Sequence, residues 1–531
     1  MAAKGYFALV LHAHLPFVRH PEYDRFLEED WFFEALTETY LPLLDVFEGL
    51  ERDNVHFRVT MSLTPPLLSM MTDPLLQQRF VRYLDERLLA IEGELKRTAD
   101  DPYFNPVVHF YKHRFTRLRE QFVDLYDMDV TRGFRRLMEH GYLEIITCGA
   151  THGYFPLLAT QEQSIYAQLS MAVRTHERIL GRKPKGIWLA ECGYTPGVDK
   201  ILAEFGIEFF FLDSHGVLDA NPSPRYGAHR PIRTPNGPMA FGRDYESSKQ
   251  VWSAEEGYPG DHVYREFYRD AGFDVNEPHI QSLLHAGIKS FTGLKYHRIT
   301  GKGDWKEPYH PEWARDRAAE HAGNFLFNRQ RQMEHLSSYM DQPPIVVAPY
   351  DAELFGHWWY EGPQWIDFLF RKMAFDQHDV ETITPWEYLN RFGDYETAQP
   401  PECSWGAGGY HEVWLNGSND WIYPYLHSAA ERISRLAQQI PDAGGDQRWA
   451  LDQAARELLL AQSSDWAFIM KTGTSVEYAV RRTKTHLYRF NRLMDMVESG
   501  YYDHNYLKAV TERDSLFPDM DYRIFGTHPM V

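Results

Sequence analysis

The sequence has little cysteine and no long apolar run. Its three cysteines, Cys148, Cys192 and Cys403, are far apart and odd in number, which is typical of a reducing cytoplasm and gives no spacing for a zinc site. No stretch approaches the roughly 18 consecutive apolar residues of a membrane-spanning helix. The apolar residues 6–11 are too few, and His12 follows too soon, for a signal peptide. We therefore expect a cytoplasmic protein.

Positive charge is also scarce. Lys and Arg number 55 against 75 Asp and Glu, so the formal net charge is −20. Nucleic acids and anionic membranes attract surplus cationic side chains, so neither is expected as the main partner. No G-x-G-x-x-G follows an apolar run and no G-x-x-x-x-G-K-[ST] occurs, so the motifs of nucleotide binding are missing. The hydrophobic fraction of 44% and the charged fraction of 24% exclude wholesale disorder.

Aromatic residues, by contrast, are plentiful. The chain has 33 Phe, 32 Tyr and 14 Trp, which together make up 15% of it. A large core explains part of this set. Many rings, however, stand in Gly- and Pro-rich segments beside acids and histidines, where a core is a weaker explanation. Flat apolar rings next to hydrogen-bonding groups suit sugars, whose faces are C–H surfaces and whose rims are hydroxyls.

Short apolar runs alternate with helical patterns through the first three quarters of the chain, which predicts an α/β protein with a parallel sheet covered by helices. Each run is rich in β-branched or aromatic residues and bounded by polar, Gly or Pro positions. The predicted strands are 6–11, 57–61, 143–147, 186–189, 209–212 and 345–348. Helices are predicted between them, for example at 161–180 and 198–205.

All six predicted strands run into polar residues at their carboxyl ends. In a barrel of parallel strands the active site is built at that edge, so we favour a catalytic barrel over an open sheet. Residues 1–400 are assigned to the barrel, with a helical insertion at about 70–140. Residues 401–531 are predicted to form an α-helical C-terminal domain with helices at 421–439, 448–461 and 475–499. Thr474 with Glu477 is typical of a capping box at the start of the last of these.

Two carboxylates follow predicted strands in unusual surroundings. Glu191 comes directly after an apolar strand and before a Gly-rich turn, and Asp351 stands with Glu353 among four aromatic residues. Glycosidic chemistry needs such a pair, because one carboxylate attacks the anomeric carbon while the other protonates the leaving oxygen. An N-cap or an ion pair is the commoner role for an acid after a strand, yet the pair together favours catalysis.

His12 and His14 form an H-x-H pattern at the end of the first strand, and this pattern supports a rival hypothesis. Two imidazoles on one strand face could hold zinc, as in metal-dependent hydrolases with barrel folds. That site would need further ligands, for which His152 and Asp351 are candidates. No later strand ends in a second clear histidine, so a metal is not our first expectation.

At these residues the chain resembles glycoside hydrolase family 57, and within it the 1,4-α-glucan branching enzymes, over essentially its whole length. The stretch from Pro349 to Gly362 is highly specific, whereas His-x-His alone is weak. The other matching stretches are His12-Ala-His14-Leu-Pro16, Ala150-Thr-His152-Gly-Tyr154, Trp188-Leu-Ala-Glu191, Val251-Trp-Ser, Gly257-Tyr-Pro-Gly260, Ser404-Trp405-Gly and Ser464-Asp465-Trp466.

This resemblance implies a distorted (β/α)7 barrel with helical insertions, a helical C-terminal domain beside the cleft, and a retaining mechanism without metal or cofactor. Glu191 resembles the nucleophile and Asp351 the general acid/base. The expected partner is an α-1,4-glucan such as amylose or a glycogen-like polymer. The residues that look like substrate-binding residues are Arg243, Gly260, Trp405, Asp465, His12, His14, His152, Trp252 and Trp414.

One segment departs from the family pattern. Only 23 residues lie between Gly227 and Val251, where the branching enzymes have a long loop with a tyrosine over the cleft. A member that mainly hydrolyses α-1,4-glucan, or a 4-α-glucanotransferase, is therefore the nearest alternative. A metal-dependent deacetylase or amidohydrolase and a catalytically silent glucan-binding protein are the more distant ones.

Overall fold

The computed structural model describes residues 3–252 and 257–526, and in this part of the chain nine strands form one sheet. The strands are β1 Gly5–Ala13, β2 Val59–Leu63, β3 Leu143–Cys148, β4 Gly186–Trp188, β5 Phe209–Leu212, β6 Ile232–Arg233, β7 Met239–Gly242, β8 Ile345–Asp351 and β9 Val380–Thr382. Every residue of β1 is buried, as expected for a strand covered on both faces.

Seven strands form a parallel row in the order β7-β5-β4-β3-β2-β1-β8. The N–H of Asp244, just after β7, donates to the carbonyl oxygen of Val347 in β8 at 2.8 Å and so joins the two ends of this row. The predicted seven-stranded barrel is confirmed. β6 pairs antiparallel with β7, and β9 pairs with the start of β1.

All six strands predicted from the sequence are present, whereas β6, β7 and β9 were missed. β6 and β9 have two and three residues, and β7 has four between Pro238 and Arg243, so none carries a readable hydrophobic pattern. The sheet register aligns the polar ends, because His12 pairs with Asp351 on one side and with Ser62 on the other.

Helices cover the sheet and fill the 65–139 region, where helical structure was predicted. Those that precede residue 400 are Glu29–Ala35, Leu41–Arg52, Pro65–Met71, Pro74–Arg97, Asn105–Glu120, Thr131–Glu139, Phe155–Leu158, Glu162–Leu180, Val198–Glu204, Ser214–Leu218, Tyr245–Trp252, Ala271–Asp274, Pro278–Gln281, Pro311–Ser337, Gly362–Phe375 and Pro385–Arg391. No helix in the described part of the chain has both the length and the apolarity needed to cross a bilayer.

The remaining helices form the C-terminal region, and they are Ile422–Gln439, Gly445–Ala461, Ser464–Thr472, Val476–Ser499 and His504–Arg513. The helices expected there are present, but the capping box at Thr474 is wrong. The helix begins at Val476, and Ser475 precedes it without a side-chain cap. The capping box that does form is Thr384 with Glu387, where Pro385 fixes the first helical turn.

Candidate active site

The carboxyl ends of the parallel strands meet at one edge of the barrel and carry the predicted site residues. β1 ends near His12 and His14, β4 leads to Glu191, and β8 ends at Asp351. β4 and β8 are separated by three strand steps in one direction and four in the other, so their ends face each other across the ring. The C-terminal region supplies further side chains from above this edge.

Glu191 lies in the tight turn Ala190–Cys192 that follows β4, with φ 61° and ψ 25°. This left-handed backbone costs a non-glycine residue about 1–3 kcal/mol and is held only where surrounding contacts impose it. Trp405 supplies those contacts. Its indole Nε1–H donates to Oε2 of Glu191 at 2.7 Å, and its backbone N–H donates to the Glu191 carbonyl at 3.0 Å.

Asp351 is the last residue of β8, and its carboxyl makes no hydrogen bond to any residue that the structure describes. The side chain is thus free to exchange a proton with a bound molecule. On the opposite wall, Glu191 is fixed by Trp405. One carboxyl is therefore held in place and the other is left available for proton transfer.

Both carboxyls have raised pKa values. Burial raises the pKa of Glu191 to about 8, and the negative charges of Asp351 and Asp465 raise it further. The hydrogen bond from the Trp405 indole N–H acts in the opposite direction and lowers this pKa. Burial raises the pKa of Asp351 to about 6, while the positive charges of His14 and Arg243 hold it down. Between these two values the pair carries one proton, and the higher pKa places it on Glu191 in the free protein, whereas a retaining mechanism requires it on Asp351 when the anomeric carbon is attacked.

Three predicted histidines form one hydrogen-bonded stack at the floor of the site. His12 Nε2 lies 3.0 Å from His152 Nε2, and His152 Nδ1 lies 2.8 Å from Ser464 Oγ. The rings of His14 and His152 stack with centroids 3.8 Å apart. Burial lowers the pKa of both His12 and His152, so these two rings are neutral hydrogen-bonding groups.

His14 connects this stack to the C-terminal region. Its Nε2 lies 3.0 Å from Oδ2 of Asp465, and its Nδ1 lies 3.0 Å from Oγ1 of Thr64. Burial opposes ionisation of Asp465, but the charge and hydrogen bond of His14 outweigh it and lower the pKa of Asp465 to about 2. Asp465 is therefore ionised at any working pH.

The zinc hypothesis can be compared with this geometry. At this edge, the ligand atoms that lie within 4.8 Å of one another belong to His14, His152 and Asp465, whereas the sequence suggested His12 and His14 with His152 and Asp351 as further candidates. Every ring nitrogen of the three histidines already has a partner in Ser62, Thr64, Ser464, Asp465 or a second ring. A metal would have to replace these hydrogen bonds, so the arrangement favours a relay of hydrogen bonds.

Arg243 follows β7, and its charge lowers the pKa of Asp351, while its Nη1 lies 3.9 Å from Oδ1 of Asp213. Its Nε donates to Ser248 Oγ at 2.7 Å, and its guanidinium carbon lies 5.6 Å from the ring centre of Trp405. Trp188 packs edge-on against Trp405 with centroids 5.0 Å apart, and it stacks on His12 at 4.8 Å. Aromatic rings and one cation thus surround the carboxyls, as the sequence composition suggested.

Three other predicted binding residues differ widely in exposure. Trp252 ends its helix with 38% of its surface exposed, and Gly260 is exposed in the turn Tyr258–Gly260. Trp414 is only 1% exposed, because it stacks on Tyr154 at 4.5 Å. Trp414 therefore packs behind Tyr154 in this structure. Direct contact of Trp252, Gly260 or Trp414 with a glucan stays a prediction.

The sequence pattern did not single out Tyr40, and it gave Glu353 no role of its own. Glu353 accepts hydrogen bonds from the His14 backbone N–H at 3.1 Å and from the Tyr40 hydroxyl. Burial raises the pKa of Glu353 to about 8. Tyr40 closes the widened helical turn Leu36–Tyr40, a type of turn often found at functional sites, and no sequence signal marks it.

Comparisons with known proteins identify the family of this chain. The family model described as Glycosyl hydrolase family 57 matches residues 8–401, and a model described as 1,4-alpha-glucan branching enzyme, C-terminal, matches residues 425–525. A 1,4-alpha-glucan branching enzyme of Thermococcus kodakarensis is 35% identical over 97% of this chain and 77% of its own length.

Crystal structures that match nearly the whole chain include two whose described activities differ. One, from Thermotoga maritima, is described as the alpha-amylase AmyC; it is 43% identical, with a TM-score of 0.92 over 98% of this chain and 99% of its own. The other is a GH57-type branching enzyme from Pyrococcus horikoshii, 34% identical, with a TM-score of 0.89 over 99% of this chain and 98% of its own. The chain belongs to glycosyl hydrolase family 57.

Proposed function

We propose that this protein is a 1,4-α-glucan branching enzyme, which cleaves an α-1,4 bond with retention and transfers the released chain to a 6-hydroxyl. The observation that carries the proposal is the pair of carboxyls at one barrel edge, Glu191 fixed by Trp405 and Asp351 without a hydrogen-bond partner among the residues that the structure describes. The match of residues 425–525 to the branching-enzyme C-terminal model supports the same conclusion.

In the first step ionised Glu191 attacks the anomeric carbon of the donor glucan. The C1–O4 bond breaks, and protonated Asp351 gives its proton to the departing 4-oxygen. The products are a covalent glycosyl ester on Glu191 and a shortened chain with a new non-reducing end. Trp405 keeps the attacking oxygen in place through its indole N–H.

In the second step Asp351, now ionised, takes the proton from a 6-hydroxyl of an acceptor chain. The 6-oxygen attacks the anomeric carbon, the ester bond to Glu191 breaks, and an α-1,6 branch is formed. Two inversions at the same carbon give overall retention. Arg243, Trp405, Asp465 and the three histidines are proposed to hold the sugar rings on either side of the cleaved bond.

Hydrolysis of α-1,4-glucan is the second candidate, because water can take the place of the acceptor. The short segment between Gly227 and Val251 favours it. That segment contains β6, β7 and most of the helix Tyr245–Trp252, so it has no long loop that could cover the cleft. The Thermotoga maritima relative described as an α-amylase is a further reason to test it.

Incubation with amylose separates the two candidates. New reducing ends report cleavage, and chains released by a debranching enzyme report α-1,6 bonds. We expect branch points to outnumber net reducing ends, and E191Q to lose both by at least about a thousandfold, since it removes the nucleophile. Long linear products without branches would instead identify a 4-α-glucanotransferase.

The matched control is E144Q. Glu144 is also a buried carboxyl with its pKa raised by burial, to about 7, but it lies in β3 and bonds to Thr60, away from the polar edge. Activity of E144Q should stay within about twofold. Net reducing ends in excess of branch points would overturn branching, and activity retained in E191Q would overturn the covalent mechanism.

A glycogen-like polymer as product and a cytoplasmic location belong to the same proposal. The location is supported by the three cysteines, which are all free and buried in the structure.

A further inference from the structure

A cavity of about 180 Å³ lies between the barrel and the C-terminal helices, and neither catalytic acid lines it. One wall is the segment 19–26 that follows β1, and the other is formed by the helices Val476–Ser499 and His504–Arg513 with the residues that follow. Five arginines line it, in a protein with a net charge of −20. They are Arg19, Arg481, Arg482, Arg489 and Arg513.

Three of the five have carboxylate partners. Arg19 Nε bonds to Asp73 at 2.8 Å, Arg489 pairs with Asp514, and Arg513 Nε lies 3.8 Å from Glu22. Arg481 and Arg482 have no carboxylate within 4 Å among the residues that the structure describes. Glu28 is near enough for the charges of Arg481 and Arg482 to lower its pKa, which burial raises. It is nevertheless too far from either arginine to form an ion pair. The cavity therefore has an excess of positive charge.

Arg482 is the more informative of the two, because it is only 7% exposed. Its Nη1 donates to the Tyr478 hydroxyl at 2.7 Å, and its Nε and Nη2 both point to His486 Nε2 at 3.2 and 3.1 Å. A guanidinium has five N–H donors, and these contacts use three of them. The second N–H on each terminal nitrogen therefore has no partner in the described residues. A buried cation without an anion is costly and is normally compensated.

His20 reports the same positive field. Burial lowers its pKa to about 2, and the charges of Arg482, Arg481, His486 and Arg489 add to the effect. His20 Nε2 lies 2.9 Å from the Tyr478 hydroxyl, which therefore donates its proton to a neutral ring. Neither side chain can serve as the missing anion.

We propose that this cavity binds a phosphoryl group, either free phosphate or the phosphate of a small monoester. Planar guanidinium groups donate paired hydrogen bonds to phosphate oxygens, and Arg482 and Arg481 supply such donors at the base and the rim. A single water needs about 10–15 Å³ of such space, so a cavity of about 180 Å³ has room for a phosphoryl group and a small organic part.

The site lies where ligand binding reinforces the domain contact. The guanidinium of Arg482 lies 5.1 Å from the ring centre of Trp466, the neighbour of Asp465. An anion held between segment 19–26 and Arg482 joins the barrel to the helices that carry Asp465. Binding should therefore raise the melting temperature of the full chain, because the ligand binds the folded form only.

Isothermal titration of the full-length protein tests the proposal, with inorganic phosphate and glucose 6-phosphate as probes and NaCl of matched ionic strength as the reference. We expect saturable binding at one site per chain. R481Q should weaken binding about tenfold, because it removes a positive charge at the rim of the cavity. R482K should weaken binding by a similar factor, because it replaces the planar guanidinium with a single ammonium group. Unliganded melting temperatures identify any variant that has not folded.

The matched control is R435Q, which removes an exposed arginine at the far side of the same helical region. Arg435 lies near Glu498. Glu498 and Arg481 are 17 positions apart on the helix Val476–Ser499, which is about 25 Å along its axis. Affinity in R435Q should change by less than about 1.5-fold. Tighter binding of glucose 6-phosphate identifies a monoester site, and equal binding identifies a free-phosphate site. Heats no different from NaCl, or equal losses in R435Q and R481Q, would overturn the proposal.

Discussion

Two carboxyls at one edge of the barrel behave as a pair rather than as independent groups. The charge of Asp351 raises the pKa of Glu191, which is already raised by burial, so one proton stays between them near neutral pH. The indole of Trp405 donates to Glu191 and favours its ionised form. Even so, the pKa of Glu191 stays above that of Asp351, so the proton lies on Glu191 in the free protein, and the proposed first step requires it to pass to Asp351 when the glucan binds.

The pH dependence follows from this pair. We expect kcat/KM on amylose to be bell-shaped, with an acidic limb near pH 6 and an alkaline limb near pH 8. Below the acidic limb both carboxyls are protonated and no nucleophile is present. Above the alkaline limb both are ionised and no acid is present. Initial rates between pH 4 and 10 measure both limbs.

Glu353 provides the control for that profile, because its pKa is also raised by burial to about 8. E353Q should lower the rate through its contacts with Tyr40 and His14 while keeping both limbs. If the alkaline limb disappears in E353Q, that limb belongs to Glu353 and the paired-carboxyl account fails.

At the scale of elements, the helix Ser464–Thr472 is tied to β1 by one contact in particular. Asp465, in its first turn, pairs with His14 at the end of β1, and both side chains are mostly buried. Ser463 adds a hydrogen bond to the same carboxylate. The pairing places a C-terminal helix directly on the edge of the barrel.

Breaking this contact should affect both stability and catalysis. D465N removes the anionic acceptor of the His14 Nε2 hydrogen bond and should lower the free energy of unfolding by about 1.5–3 kcal/mol. It also removes a negative charge that raises the pKa of Glu191, so the alkaline limb should move to lower pH. Urea denaturation and the rate profile measure the two effects.

D495N is the matched comparison. Asp495 pairs with Arg432 at 2.7 Å, but its side chain is 71% exposed, so its loss should cost less than about 0.5 kcal/mol. Equal destabilisation by D465N and D495N, or an alkaline limb that does not move in D465N, would contradict the assigned role of Asp465.

At the scale of the whole molecule, the barrel and the C-terminal region share one core. A single cluster of buried apolar side chains runs from Phe7 in β1, through the barrel helices and Trp414, to Leu458 and Phe525. The division at residue 400 is therefore a division of the chain and of its secondary structure, and it stays a prediction as a boundary between folding units.

This continuity predicts one cooperative unfolding transition. Differential scanning calorimetry of the full chain should show a single peak, and D465N should shift that peak without splitting it. Early protease cleavage should not release a stable barrel, because its apolar helices would lose their cover. Two resolved peaks, or a persistent fragment that ends near residue 400, would contradict a shared core.

Much of this protein was predictable from local patterns. The six longer strands are read from buried apolar runs, and Glu191 and Asp351 from acids that follow two of them, because parallel strands bring their carboxyl ends to one edge. The C-terminal helices are read from the spacing of apolar residues. The strands β6, β7 and β9 are too short for any such pattern.

The long-range partners were decided by tertiary structure alone. His14 meets Asp465 across 451 residues, Tyr40 meets Glu353 across 313, and Trp405 meets Glu191 across 214. No periodicity records such a pairing, because each depends on how distant elements pack. Sequence by itself determined which side chains stand at the barrel edge, and packing decided which are held, which are buried like Trp414, and which, like Asp351, remain free to react.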